Sequence, residues 1–403
     1  MGRFPAVWRQ SGGKRMSERQ LKAWQDAGLI DAGTAGRIRE WEAAHHRPLG
    51  LWAIIGLGAL AIGLGIVSVV AANWDAISGE TRLAIHFALM VGLAGLLWRY
   101  LPDAAAKNDY FNDGALFVAA VLGLSFFGHI GQVYQTSSPL WQPLLVWLVI
   151  FSPLLLLFGR GWPVAGLWLA GVLGTAWSHA DEYGRGWLWG QSMPQPAWPT
   201  LYWGLIATPP MAVAALAAFM RGRSDRPGFW RLLEQLAMIV ILTGVSIAII
   251  AGGWDSGTHH VVGSAVIRSL ALAGTAAVIW AFRQGRSGQA TAGILAVAAV
   301  LHVAQALLLG VEGATRGPWI GALFFLLLWS AVAAGALFAR WRRLFQGAIA
   351  LLALRIIILS FELNDDLLGS GAGLILSGAF AMAVAWGTVR ISRRYAPAER
   401  NGE

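Results

Sequence analysis

The chain has no cysteine and almost no lysine: of its 30 basic residues only Lys14, Lys22 and Lys107 are not arginine. Without thiols there is no disulfide, no thiolate metal site and no cysteine nucleophile. Charge is scarce as well, at 13% of 403 residues, about half of what soluble chains carry. Two motifs of soluble chemistry are missing too. No Gly-x-x-x-x-Gly-Lys-Ser/Thr phosphate loop occurs and no His-Glu-x-x-His occurs, which argues against an ATP-driven motor and a zinc hydrolase. No cofactor and no metal are expected.

What is abundant points one way. Hydrophobic residues make up 57% of the chain, with 22 Trp and 50 Gly, and mean hydropathy is +0.58. Helices that face lipid need this composition, with aromatic rings at their ends and glycine at close contacts. A soluble globular protein is excluded. The net charge of +9 would suggest nucleic acid in a soluble domain, but here the basic residues are scattered between apolar runs, so no nucleic-acid partner is expected.

Apolar stretches of about the 20 residues that cross a bilayer fall at 50–72, 81–99, 112–131, 140–159, 162–178 and 200–220, then at 231–252, 261–283, 288–310, 317–339, 341–362 and 369–391. The expected fold is an all-α integral membrane protein of about twelve transmembrane helices. Basic residues gather on the cytoplasmic side of such proteins. With the N-terminus inside, cytoplasmic segments hold 25 of the 30, and outer loops hold only Arg82, Arg185 and Arg316; Arg268 and Arg355 lie within spans. This predicts a multi-pass protein of the bacterial inner membrane with both termini cytoplasmic.

No cleavable signal peptide is expected, because nearly fifty largely polar residues precede the first apolar run. Met1 and Met16 are both possible starts, since Ser17 and Gln20 form a capping box behind Met16. Residues 17–46 read as two short amphipathic helices, Leu21, Trp24, Leu29 and Ile30 lining the first, Ile38 and Trp41 the second, with Thr34 as its cap.

The two sets of six spans share landmarks in the same order. Trp74-Asp75 and Trp254-Asp255 close the first spans. His86 precedes Trp98 by the same interval as Arg268 precedes Trp280. His129-x-x-Gln132 recurs as His302-x-x-Gln305, and Pro139 with Trp141 recurs as Pro318-Trp319. Two parallel six-helix repeats are therefore expected, related by an axis along the membrane normal. The domains are a cytoplasmic helical segment at 1–48, repeats at 49–222 and 223–391, and a cytoplasmic tail at 392–403.

Three stretches carry a family resemblance: Gly28-Leu29-Ile30 with the later Ile38, Ala72-Asn73-Trp74-Asp75, and Gly131-Gln132-Val133-Tyr134. Over about residues 17–160 the chain resembles a family of bacterial membrane proteins known as domain of unknown function 2157. The resemblance implies a multi-span inner-membrane protein without an established activity. Its motif residues Asn73, Trp74, Asp75, Gln132 and Tyr134 are positions to test.

Ionisable groups inside spans cost at least about 2.5–3.5 kcal/mol at the helix centre, so they face a partner or a wet cavity. The candidates for substrate binding are His86, His129, Gln132, Arg268, His302, Gln305, Arg355 and Glu362, all towards the outer side. Each has a structural alternative. Arg355 and Glu362, two turns apart on one face, make either an ion pair through a bridging group or a positive site for an anionic substrate. The His-x-x-Gln pairs either hold helices together or meet at an outer cavity. The Trp-Asp pairs read as interfacial anchors.

Three function classes remain. One is a secondary transporter or flippase-like protein acting on a small solute or lipid. The second is a sensor, scaffold or envelope assembly factor whose protein partner the sequence does not name. The third is a membrane-embedded enzyme using outer His and carboxylate groups.

Overall fold

A computed structural model describes residues 21, 24–44, 61, 77–100, 109–136, 138–188, 198–252, 260–309, 318–362 and 371–395. The first expected span, the Trp-Asp pairs and Asn73 lie outside these residues. The chain divides into two compact units at residues 81 and 82.

In the first unit a helical turn ends at Gly28, whose φ of +69° is left-handed. Gly28 N–H donates to Gln25 O and Leu29 N–H to Trp24 O, a Schellman stop. Helix α1 follows at Ala32–Ala44. Its cap is Asp31, not Thr34: Thr34 N–H donates to Asp31 Oδ1 at 2.7 Å, because the helix begins three residues earlier than expected. Thr34, through its side chain and then its backbone, holds the Asp31 carboxyl below its ordinary range.

The second unit is all-helical among the described residues. It comprises α2 (Gly79–Tyr100, which begins in the first unit), α3 (Asp109–Tyr134), α4 (Trp141–Phe158), α5 (Trp162–Leu188), α6 (Pro199–Leu205), α7 (Pro209–Arg221), α8 (Pro227–Gly252), α9 (His260–Phe282), α10 (Arg286–Leu309), α11 (Pro318–Phe338), α12 (Arg342–Glu362) and α13 (Gly371–Tyr395). Among the described residues eight helices are long and apolar enough to cross a membrane: α2, α3, α4, α8, α9, α10, α11 and α12. Helix α5 is long, but four Trp and five glycines, with the polar run from His179, dilute its apolar content.

The sixth expected span, 200–220, is not one helix. Helices α6 and α7 meet at a 44° bend, and counting them as one span brings the total to nine. The cause is Pro209-Pro210: neither has an N–H to give to the carbonyls of Leu205 and Ile206 one turn back. Thr208 takes over at Leu205 O, with its N–H at 2.9 Å and its hydroxyl at 2.7 Å.

Helix α8 is the hub. It packs on α5, α7, α10 and α11 through Trp230, Leu233, Ala237, Ile241, Val245 and Ile249, a stripe at spacings of three and four. On its other side Ile239 and Ile247 are 61% exposed. The same holds outward on α4 (Val149), α9 (Leu270), α10 (Val300) and α13 (Met382). A contiguous apolar exterior on long helices is the surface that lipid requires.

Helix α10 shows how the interior is closed. Ala290, Ala292, Ala298, Ala299 and Ala306 are buried, and such small residues let membrane helices approach closely. Buried indoles are also tied to neighbours: Trp147 Nε1 donates to Ala120 O at 2.7 Å and Trp168 Nε1 to Ser152 Oγ at 2.7 Å.

Candidate functional site

One end of the bundle, here called the upper end, is where α2, α4, α6, α9 and α11 begin and α3, α5, α8, α10 and α12 finish. All eight candidate residues lie towards it. Three groups result, and they do not merge: among the described residues neither α2 nor α3 packs extensively on α9 or α10, and α12 packs on α11 and α13.

The first group joins α2 to α3. His86 Nδ1 lies 2.9 Å from His129 Nδ1, and His86 Nε2 lies 3.0 Å from Leu122 O. A carbonyl only accepts, so Nε2 of His86 carries a proton. In the neutral state His86 Nδ1 is then the acceptor and His129 Nδ1 the donor, which places the lone pair of His129 on Nε2. The pair holds one additional proton while keeping its mutual hydrogen bond. A second proton sets two N–H groups against each other and breaks it. Ser125 Oγ donates to Leu122 O at 3.0 Å, Phe126 presents its ring edge-on to His86, and His86 is buried.

The second group joins α9 to α10 and α8. Arg268 donates through Nε to Ser264 O and through Nη2 to Ser264 Oγ, both at 3.1 Å. His302 stands on α10, which packs along α9. His302 is buried and its Nε2 has no hydrogen-bond partner among the described residues. Gln305, also buried, donates from Nε2 to Ile249 O at 2.7 Å, in the last turn of α8. Gly321 of α11 approaches the same carbonyl: a Cβ there would stand 3.0 Å from it.

The third group is Arg355 with Glu362 on α12. They meet directly, Nη1 to Oε1 at 2.9 Å, without the bridging group expected between them. The Arg355 side chain is buried. The matching glutamines differ: Gln305 is inside, whereas Gln132 is exposed. Gln132 and Tyr134 belong to the helix stop of α3, where Gln135 has a φ of +51° and Thr136 N–H donates to Gly131 O.

Two further sets escaped the sequence reading. At the upper end Trp141 Nε1 donates to Glu182 Oε2 at 2.6 Å, and His179 Nδ1 lies 2.7 Å from the Tyr202 hydroxyl. This set joins α4, α5 and α6, and it carries α5 past residue 178, where its apolar run was expected to end. The signal was the polar run His179 to Glu182 at a helix end. At the opposite end Glu234 is buried between Arg221, at 3.5 Å, and Arg283. Arg283 also reaches Ser287 Oγ at 2.6 Å and Thr291 Oγ1 at 3.2 Å. Nearby, Arg160 N–H donates to Asp113 Oδ1 at 2.8 Å, and Arg226 donates to Leu156 O at 2.6 Å and to Gly159 O. An acidic residue inside the apolar α8 was the available clue. No group of three or more metal-ligating side chains occurs among the described residues.

Residues 22–164 match the model of a family described as a predicted membrane protein, domain of unknown function 2157. The match takes in the His86–His129 pair and stops in α5, short of Arg268, His302 and Arg355. No curated protein and no solved structure matches the chain.

Proposed function

We propose that the chain is a secondary-transporter-like or flippase-like protein of the bacterial inner membrane, built from two parallel six-helix repeats. Both termini are cytoplasmic in this reading, and the upper end faces outward. Arg160, Arg221, Arg226, Arg283 and Arg342 then gather inside, as the positive-inside rule asks.

The observation that carries the reading is a correspondence of pairs. His86 and Arg268 hold matching places before Trp98 and Trp280; His86 meets His129 of the next helix directly, and Arg268 stands on the helix packed against that of His302. Ionisable groups set against one another inside membrane helices mark ion and substrate pathways. In this reading the His86–His129 pair carries a coupling proton, the Arg268–His302 group faces the solute, and Arg355 with Glu362 is a separate coupling charge on α12.

The test is solute accumulation or efflux by cells expressing the full chain, across a broad solute panel. His129→Gln and Arg355→Gln are expected to abolish movement of at least one solute at normal protein level. Well-folded variants with no transport or growth phenotype anywhere in the panel overturn the reading.

One observation favours the sensor or scaffold alternative. In the first unit Leu29 is 72% exposed and Trp24 stands partly free beside it, an apolar contact point ahead of α1. Crosslinking that recovers a stoichiometric partner through residues 17–46 would favour that alternative.

A further inference from the structure

The second-half group holds a cation without a counter-charge. Among the described residues no carboxylate pairs with Arg268, which bonds to Ser264. A guanidinium has five N–H donors, of which Ser264 accepts two. Next to it in sequence, Ser269 is buried with its Oγ unpartnered, and His302 is buried with Nε2 unpartnered. Buried polar atoms are nearly always satisfied, and a half-buried cation within a membrane helix is retained at a cost unless something neutralises it. A cation and two unpartnered polar atoms that can donate, on α9 and on the α10 packed against it, are the groups an anion shell uses.

We propose that Arg268, with His302 and Ser269, binds the anionic oxygen group of the solute, a carboxylate or phosphate carried by a free small molecule or by a lipid headgroup. This rests on the transporter reading and names its substrate class. Arg268 supplies charge and paired donors to two oxygens. His302 Nε2 donates to a third position, and Gln305 is committed to Ile249 O and only fixes the neighbouring backbone.

The experiment uses the full chain in dodecyl maltoside, which carries no phosphate, and follows the thermal-unfolding midpoint. One arm adds inorganic phosphate or succinate; the other adds phosphatidylglycerol. A saturable rise in the first arm identifies a soluble anion, and a rise confined to the second identifies a lipid headgroup; either supports the site. Arg268→Gln is expected to weaken binding by about tenfold or more, as loss of a charged hydrogen-bond partner does. His302→Gln weakens it less, Arg268→Lys retains part of it, and Arg223→Gln at the other end leaves it intact. No rise in either arm, or an equal rise in Arg268→Gln, overturns the proposal. So does an unliganded Arg268→Gln that is unstable and is rescued by neutralising Asp255 or Glu312, since Arg268 then serves an internal carboxylate. Anion binding without movement of any solute removes the transporter reading alone. Solute movement lost in His129→Gln, with no anion bound, removes the anion assignment alone.

Discussion

The two ends of the bundle treat buried charge differently, although each holds an ion pair: at the upper end the buried Arg355 is paired with Glu362 at 2.9 Å. At the lower end each buried acid is answered: Glu234 by Arg221 and Arg283, Asp113 by the Arg160 backbone. At the upper end Arg268 has no carboxylate among the described residues, and His302 Nε2, Ser269 Oγ and Glu362 Oε2 have no hydrogen-bond partner there. A completed network contributes to folding. An incomplete one costs free energy, and a chain keeps it where something else completes it.

The largest expected effect breaks the lower end. Glu234→Gln leaves two arginines facing each other with no acid between them. Removing one partner of a buried charge network typically costs about 3–5 kcal/mol, and the partial exposure of Arg221 argues for the low end of that range. Arg268→Gln, by contrast, removes a cation that nothing in the described structure neutralises, and it should change stability by less than about 1 kcal/mol. Denaturant unfolding in detergent compares them. Equal losses collapse the distinction between the ends.

A second comparison sets the two glutamines side by side. Gln305→Ala removes a buried hydrogen bond to Ile249 O, which costs about 1 kcal/mol. Gln132→Ala touches only an exposed side chain and should stay within about 0.5 kcal/mol. Parallel thermal melts read both. Similar losses would mean that the His-x-x-Gln motif does the same work in both halves, contrary to its two environments.

The His86–His129 pair gives a smaller effect on folding. His129→Phe leaves His86 Nδ1 without its partner while keeping a ring in place, for about 1 kcal/mol. Nitrogen chemical shifts of His86 check the tautomer assignment: Nε2 protonated and Nδ1 accepting in the parent, with Nδ1 shifted in the variant. A parent His86 protonated on Nδ1 alone contradicts the geometry.

These comparisons also show what the sequence carries. Hydropathy finds the helices because lipid imposes length and apolarity on each one separately; every expected span from 81 onward has a helix over it. It averages over Pro209-Pro210, so the break in the sixth span passes unseen although the dipeptide is visible. Pattern finds His129 and His302 as equivalents, since spacing fixes a helical face. Whether that face is buried depends on which helices lie against it, and so Gln132 and Gln305 part ways. Glu234 is hardest to read: its partners are 13 and 49 residues away, and only the packing of α7, α8 and α9 brings them together.

The smallest expected effect tests the first unit, where polarity is neither buried nor incomplete. Asp31 is fully exposed, yet its carboxylate caps α1 by accepting from Thr34 N–H. That bond, with the Thr34 side chain, lowers the folded-state pKa below the unfolded value of about 3.9. The sign follows from the direction of the shift. The stabilising contribution is fully present above the unfolded value and is lost as pH falls through the lower folded value. Hydrogen exchange at the α1 amides should therefore be insensitive to Asp31→Ala at the acid extreme, after correction for intrinsic exchange, and show lost protection in the variant near neutral pH. Asp31→Asn retains a side-chain oxygen acceptor and should restore most of the protection while removing its pH dependence. If Asp31→Asn is as poorly protected as Asp31→Ala, the carboxylate charge rather than the capping hydrogen bond holds the start of α1. The first unit would then resemble the lower end of the bundle, where charge is answered by charge.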